Sequence, residues 1–271
     1  MIEIFDNIRQ LYKFQTPAGA LHPYVEFFSE TSLDETHRLI QSETFTVKLF
    51  PSYTPTIWIN LGTPYLLANG RKQLHIDEQT DILLLRNEIV ERKNLPSDNI
   101  FTVKFHPGGF ETIFGISQTR IGSNVVPLQD IIPAGMVRKL RNAASMADRI
   151  NLFESLFHEK LEVQQKKDNY YLQCIHRTID AFAGSGMEAG NGELARQLYL
   201  TDKSLYRYFT KIIGTSPKKY LGITRARTAL TGYTKNAASF SPHDYGYYDR
   251  SHFYKDVLNF TGQHFSSYLH R

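Results

Sequence analysis

The carboxyl-terminal part of the chain contains the same helical pattern twice, and this repetition constrains the fold more than any other feature. In residues 246–262, Asp249 is placed to cap the start of a helix through its carboxylate. Phe253, Val257 and Phe260 then recur at spacings of four and three, which is typical of one buried helical face. The pattern predicts a short helix held by one apolar face, with polar and basic side chains on the other.

The other copy of the pattern occupies residues 193–214. Thr201 is placed as the cap of a helix whose inner face is formed by Leu205, Phe209 and Ile212. The glycine that follows this helix comes five positions after Phe209, and the glycine of the other copy comes five positions after Val257. The two segments are therefore predicted to be built alike.

A connecting helix is predicted between the two copies. Ser216 is a suitable cap, and Pro217 fits the first helical position, where its missing N–H leaves no hydrogen bond unmade. The helix is expected to end near Gly232. The predicted layout is two helix-turn-helix units, at residues 193–214 and 239–262, joined by this helix.

Several short motifs coincide in residues 187–269. They are LA at 194–195, L-x-R-x-F at 205–209, G-x-S-P-x-x-Y at 214–220, Arg225, and GYYD-x-SHF at 246–253. Together they resemble the AraC/XylS family of bacterial transcription regulators. The resemblance implies two helices inserted into successive major-groove segments of double-stranded DNA. Pro242 departs from the family pattern, which usually has a small alanine there.

The candidate DNA contacts are polar side chains that lie off the two buried helical faces. Residues predicted to face bases are Lys203, Tyr206 and Arg207 in the first unit and Arg250, Ser251, Tyr254 and Lys255 in the second. Weaker candidates, for phosphate contact, are Ser204, Lys211, Lys218 and Lys219. Arg207 is the strongest candidate, because a guanidinium can pair with two acceptors of guanine at once. For Arg225, an internal pairing and a DNA contact both remain open.

The distribution of charge supports a DNA-binding role for this part of the chain. Residues 186–271 contain 12 Lys and Arg against 6 Asp and Glu, while the remainder contains 19 against 21. The positive charge is thus concentrated where the helical repeat lies, as expected of a surface that contacts phosphates.

The amino-terminal half has the composition of antiparallel β-structure. Residues 44–115 contain short runs rich in β-branched and aromatic residues, separated by Gly, Pro, Asn and Asp, which predicts a barrel or sandwich. Asn69 and Gly70 are typical of a two-residue hairpin turn. The polar residues 89–96 are predicted to form a loop.

The segment FHPGGFETIFG, at residues 105–115, is distinctive within this half. The glycines favour a tight turn between two strands over a phosphate-binding loop, because no Lys-Ser/Thr follows them. A similar HPGG segment occurs in the sensor half of one group of AraC-type regulators, and this resemblance implies a β-barrel-like, cupin-like domain.

A helical hairpin is predicted at residues 133–161, from apolar residues that recur at helical spacing. Its apolar face could pack on its own β-domain or against a second copy of the chain, and both interpretations remain open. The predicted organisation is of the α+β class. It has a β-rich domain with the hairpin at 1–165, a polar linker at 162–169 and an all-α DNA-binding domain at 170–271.

No pattern in the sequence predicts catalysis, a metal site or a cofactor site. The chain contains no G-x-S-x-G, P-loop, HExxH or CxxC motif. A single cysteine, Cys174, suits a reducing cytoplasm, and neither a signal peptide nor a membrane-spanning stretch is expected.

The sequence therefore predicts a cytoplasmic, non-enzymatic, sequence-specific DNA-binding transcription regulator. Control by a small-molecule effector or by homodimerisation through the amino-terminal domain is expected. Two alternatives remain: a ligand-binding or catalytic β-barrel fused to a DNA-binding module, and a ligand-independent DNA-binding protein whose β-half only assembles dimers.

Overall fold

The computed structural model of the protein describes residues 9–70, 72–164 and 170–264. The chain divides into two compact units, one of residues 1–49 and 54–168 and the other of residues 50–53 and 169–271. The first unit contains antiparallel sheets followed by helices, and the second is helical, as the α+β prediction requires. The predicted linker at 162–169 lies mostly outside the described residues.

Ten strands form two sheets in the described part of the first unit, and every pairing described is antiparallel. One sheet has the order β1-β2-β9-β4-β7-β10 and the other the order β3-β8-β5-β6. The strands are β1 (Tyr12–Gln15), β2 (Val25–Thr31), β3 (Phe45–Leu49), β4 (Pro55–Asn60), β5 (Tyr65–Asn69), β6 (Lys72–Ile76), β7 (Ile82–Leu85), β8 (Val90–Asn94), β9 (Ile100–Phe105) and β10 (Val125–Pro127).

Nine α-helices lie in the described part of the chain. They are α1 (Leu33–Leu39), α2 (Gly109–Phe114), α3 (Ala134–Asn142), α4 (Met146–Gln164), α5 (Tyr170–Gly184), α6 (Asn191–Gln197), α7 (Asp202–Ile212), α8 (Pro217–Lys235) and α9 (Arg250–Thr261). None of these helices combines the length and the hydrophobicity that crossing a bilayer requires.

The six-stranded sheet is buried on both faces. Successive side chains of a strand point to opposite faces, and on β4 Trp58 joins the core shared with the four-stranded sheet, whereas Ile57 and Ile59 join the opposite core. On β7, Leu84 and Leu85 divide between the two cores in the same way. Burial on both faces explains why these strands appear in the sequence as continuous apolar runs.

The predicted helical hairpin covers the outer face of the six-stranded sheet. α3 and α4 contribute to the same core as the sheet, and the ring of Phe153 stacks on that of Phe101 with centroids 5.7 Å apart. Phe157 packs against Phe105 at the same centroid distance. The apolar face of the pair is thus covered by its own β-unit, which favours one of the two open interpretations. Dimerisation remains a prediction.

Two predictions for the β-unit differ from the structure. The polar stretch predicted as a loop contains strand β8, because Val90, Arg92 and Asn94 alternate inward and are buried. Because two of these inward-facing residues are polar, the alternation of apolar and polar residues that predicts a strand is missing from the sequence. The predicted hairpin is present, but Asn69 is the last residue of β5 and pairs with Lys72, so the turn begins at Gly70, one residue later than predicted.

The HPGG segment leads from β9 into helix α2, and the predicted turn between two strands is wrong. Gly108 adopts a φ of 74°, which favours glycine, and Gly109 begins the helix. A Cβ on Gly109 would collide with the carbonyl oxygen of Tyr24, to which the N–H of His106 donates at 2.8 Å. Gly109 therefore serves close packing on Tyr24, and Gly108 serves the left-handed backbone conformation that precedes the helix.

Candidate nucleic-acid interface

Helix α7 is positioned by a cap and by one buried face. The Oγ1 atom of Thr201 accepts a hydrogen bond from the N–H of Ser204 at 3.1 Å, which satisfies one of the free N–H groups at the helix start. Leu205, Phe209 and Ile212 are at most 4% exposed and belong to the core of the second unit.

Helix α9 repeats this construction. The Oδ1 atom of Asp249 accepts a hydrogen bond from the N–H of His252 at 2.7 Å, and Phe253, Val257 and Phe260 are at most 2% exposed. Residues at matching positions are 48 apart in the chain: Thr201 and Asp249, Leu205 and Phe253, Phe209 and Val257, Ile212 and Phe260, Gly214 and Gly262. The two glycines have φ values of 85° and 68° and end their helices alike.

The two helix pairs differ in the element that precedes the turn. α6 precedes α7, whereas only a 3-10 helix, Pro242–Tyr245, precedes α9. Pro242 has no N–H to donate and disfavours an α-helical conformation at the residue before it, so a regular helix cannot extend through this position. Aromatic packing compensates, since the rings of Phe240 and Tyr247 lie 5.0 and 5.4 Å from that of Phe253.

All seven side chains predicted to face bases are exposed. They are Lys203, Tyr206, Arg207, Arg250, Ser251, Tyr254 and Lys255. Tyr206 is 56% exposed, so its ring is available and is not a packing element of the core. Arg207 keeps its guanidinium carbon 5.5 Å from the ring of Tyr208, which limits the freedom of an otherwise solvated side chain.

The four weaker candidates are placed less uniformly. Lys211, Lys218 and Lys219 are exposed, and the ammonium of Lys211 lies 4.5 Å above the ring of Tyr171. Ser204 is half-buried, and its Oγ accepts a hydrogen bond from Oγ1 of Thr201 at 3.0 Å. Ser204 thus takes part in the cap of α7.

Arg225 on α8 forms an internal network, which is one of the two roles that the sequence left open. Its Nη1 donates to the carbonyl of Gly246 at 3.3 Å, and its Nη2 donates to Oδ2 of Asp256 at 3.0 Å. Nη2 also lies 3.2 Å from Nε2 of His252, which must be the acceptor because a guanidinium only donates. The guanidinium stacks 4.5 Å from the ring of Tyr247. Burial raises the pKa of the Tyr247 hydroxyl, and the charge of Asp256 adds to the shift.

Two exposed tyrosines in the turns were not among the predicted site residues. Tyr199, between α6 and α7, is 95% exposed, and Tyr248, just before α9, is 86% exposed. Periodicity did not indicate them because turn residues follow no helical repeat. Tyr199 precedes a predicted cap by two residues and Tyr248 precedes one directly, and this nearness to a cap was the available signal.

Metal-binding geometry is not found in the described residues. Within 9–70, 72–164 and 170–264, no three His, Cys, Asp or Glu side chains are grouped so as to hold an ion. Cys174 is buried in the core of the second unit.

No protein-family model matches the sequence, and no curated protein matches it. Among solved structures, an AraC-like transcriptional activator, CuxR, is similar at 11% identity and a TM-score of 0.35, covering 85% of this chain and 89% of its own. ToxT from Vibrio cholerae is similar at 12% identity and a TM-score of 0.49, over 83% of this chain and 97% of its own. ToxT with a bound unsaturated fatty acid scores 0.45 at 12% identity, covering 83% and 94%. These likenesses are distant, and none of them assigns a function to this chain.

Proposed function

We propose that the protein is a sequence-specific DNA-binding transcription regulator of the AraC/XylS type. In this proposal α7 and α9 are its two reading helices, each lying in a segment of the major groove. The observation that carries the proposal is the repeat itself. Two helices 48 residues apart share cap position, buried face and terminal glycine, and each leaves a row of polar and basic side chains exposed.

The chemistry of the exposed side chains supports base recognition. Arg207 on α7 can pair with O6 and N7 of guanine, and Ser251 and Tyr254 on α9 can donate to base or phosphate acceptors. On α7 the buried residues all lie on the opposite stripe, and on α9 Phe253, Val257 and Phe260 form the main buried stripe, with Thr261 buried at the helix end. The exposed residues of the two helices can therefore differ in type. Arg207 on α7 corresponds to Lys255 on α9, and Lys203 on α7 corresponds to Ser251 on α9.

The placement of Lys218 and Lys219 also supports a DNA surface. Both lie in the first turn of α8, which contains no acidic residue. Positive charge at a helix start opposes the helix dipole and typically costs about 0.3–1 kcal/mol per residue. The ammonium of Lys219 lies 5.7 Å from the ring of Tyr53, so contact with phosphate is the role that the charge of Lys218 in particular suits.

Because both reading helices belong to one chain, a single protomer would read two adjacent groove segments without a symmetric partner. The DNA site is therefore expected to be non-palindromic. A homodimer formed through the amino-terminal unit would bind two repeats of it.

The amino-terminal unit is proposed to sense a small-molecule effector, and a buried arginine supports this role. Arg92 is 3% exposed, donates from Nη2 to the hydroxyl of Tyr12 at 2.8 Å, and stacks 4.9 Å from the ring of Trp58. Its Nε has no hydrogen-bond partner, and no ion pair in the described part of the chain includes it. Burial raises the pKa of the nearby Asp98, although the charge of Arg92 acts to lower it.

The space beside Arg92 is small. It lies between the two sheets and encloses ≈ 20 Å³, which is enough for a water molecule but not for an effector. Effector binding there would require lining side chains such as Phe14 or Phe27 to move. If the β-unit instead only assembles dimers, no small molecule should stabilise the protein.

The experiment that tests the main proposal is selection of binding sites from random duplex DNA with the full chain. An enriched, non-palindromic sequence that is bound more tightly than random duplex is expected. Equal binding to all duplexes, or none at low salt, would contradict the proposal. A thermal-shift screen of metabolites tests the sensor role, and an assay for conversion of any metabolite that binds separates a sensor from a catalytic β-barrel.

A further inference from the structure

Two tyrosines flank the reading helices and have no role in the fold. Tyr199 and Tyr248 are 95% and 86% exposed, and within the described part of the chain neither ring packs on another aromatic ring and neither hydroxyl has a hydrogen-bond partner. By contrast, the ring of Tyr171, also exposed on the second unit, packs on Tyr208 with centroids 4.7 Å apart.

The backbone conformation of Tyr199 is unfavourable for a tyrosine. Its φ is 56°, in the left-handed region that bulky side chains rarely adopt, whereas the turn before α9 places Gly246 there, at 71°. A glycine or asparagine would meet the local requirement of the turn with less strain. The side chain of Tyr199 is therefore present despite its local backbone conformation, and that points to a role outside the fold.

The positions of the two residues relative to the reading helices indicate what they contact. A helix with its side chains is about 10–12 Å across and the major groove is about 12 Å wide, so a reading helix fills the groove. The residues just outside the start of that helix then lie at the rim, where the phosphates are. Tyr199 precedes the cap Thr201 by two residues and Tyr248 directly precedes the cap Asp249.

We propose that Tyr199 and Tyr248 are backbone anchors, whose hydroxyls donate hydrogen bonds to DNA phosphates at the rim of each groove segment and so set the depth and register of α7 and α9. Tyrosine suits this task, because its ring is rigid and its hydroxyl is a donor that phosphate oxygens accept. This inference rests on the proposed DNA-binding function and assigns residues outside the predicted base-contact set.

The inference makes a prediction that separates these anchors from the lysines. A neutral hydroxyl that contacts phosphate adds affinity for every sequence and releases no counterion. Tyr199→Phe and Tyr248→Phe should each weaken binding about three- to ten-fold. The loss should be the same for the selected site and for random duplex, and the slope of log affinity against log salt should not change. The double variant should show the product of the two losses.

The test measures fluorescence anisotropy of labelled duplexes with the full chain at several salt concentrations. Tyr171→Phe is the matched control, since it removes a hydroxyl from an exposed tyrosine of the same unit while keeping the ring that packs on Tyr208 and lies 4.5 Å from the ammonium of Lys211, and it should bind as the unchanged protein does. Tyr199→Gly adds a second readout: it should unfold at a temperature no lower than the unchanged protein, yet lose at least as much affinity as Tyr199→Phe.

The outcomes separate this inference from the function on which it rests. Unchanged affinity in both phenylalanine variants, with the unchanged protein still selecting its site, overturns the anchor role alone. A loss confined to the selected site, or a changed salt slope, overturns it too, since it would indicate base contact or an indirect effect on charge. Failure of the unchanged protein to bind any duplex overturns both proposals.

Discussion

Nη2 of Arg225 on α8 donates a hydrogen bond to Oδ2 of Asp256 on α9 at 3.0 Å, while Nη1 of the same side chain donates to the carbonyl of Gly246. One guanidinium thus joins the connecting helix, the second turn and the second reading helix. The side chains of Arg225 and Asp256 are 19% and 22% exposed, so solvent only partly screens the pair. The orientation of α9 therefore depends on a side chain of α8.

Replacing Arg225 by alanine should destabilise the protein and weaken DNA binding indirectly. The change leaves the carboxylate of Asp256 and the carbonyl of Gly246 without their donor, at a cost of about 1.5–3 kcal/mol. Urea denaturation should show the lower free energy of unfolding, and the affinity should fall for all duplexes. Lys235→Ala, at the exposed end of the same helix, is the control. An unchanged denaturation midpoint would contradict the role given to the network.

The caps of the two reading helices should make similar contributions to stability. Thr201→Ala and Asp249→Ala each remove an acceptor for an N–H in the first turn, which typically costs about 1 kcal/mol. Thr201→Ser and Asp249→Asn keep an acceptor and should restore most of that free energy in urea denaturation. If the alanine and the conservative variants were equally unstable, capping would not be the cause.

Arg207→Ala should reduce both affinity and base preference. The loss of a bidentate contact to guanine is expected to cost about 1–3 kcal/mol on the selected site and less on random duplex. Repeating the site selection with the variant should show relaxed preference at one position of the site. Retention of the full preference would show that Arg207 reads no base.

Lys218→Ala should remove a phosphate contact, so its effect on binding should differ from that of Arg207→Ala. Binding should weaken for the selected site and for random duplex alike, and the slope of log affinity against log salt should fall by about 0.9. Titrations at several salt concentrations measure both quantities. A sequence-dependent loss without a change in slope would argue against phosphate contact.

The buried carboxyl group of Asp81 should contribute to the pH dependence of the free energy of unfolding. Burial raises its pKa, although the N–H of Asn60 and the charge of Arg141 act in the opposite direction. A raised pKa means that the folded protein binds this proton more tightly, so the associated stability is complete below the unfolded value of 3.8. It is lost as the pH rises through the folded value.

Asp81→Asn should therefore make the fall in unfolding free energy above pH 3.8 shallower, as measured by urea denaturation at a series of pH values. Glu30 and Asp98 also have raised pKa values through burial, so part of the slope should remain. Asp77→Asn is the opposite control. The Thr80 hydroxyl bonded to Asp77 lowers its pKa, so the stability that this carboxylate contributes is complete above the unfolded value of 3.8 and is lost only at lower pH. Removing the carboxylate should therefore leave the fall above pH 3.8 unchanged and reduce the loss of stability below it. Equal slopes in Asp81→Asn and the unchanged protein would contradict this account.

The sequence by itself determined the elements whose causes are local. The caps at Thr201, Ser216 and Asp249 form as predicted, and the buried faces of α7 and α9 follow the spacing of their apolar residues. Caps and helical faces depend on residues within about one turn of each other, so a linear pattern is sufficient to specify them. The exposure of the predicted base-facing residues follows from the same periodicity.

Only the tertiary structure decided which polar residues are buried and what the irregular segments do. Arg92 is buried in a strand because its guanidinium stacks on Trp58 and donates a hydrogen bond to Tyr12. Gly109 begins a helix at a position where it packs closely on Tyr24. Arg225 was left open by the sequence because its partners lie more than 20 residues away, at Gly246 and Asp256. Such contacts depend on how distant segments meet in space, and no local spacing of residues records that.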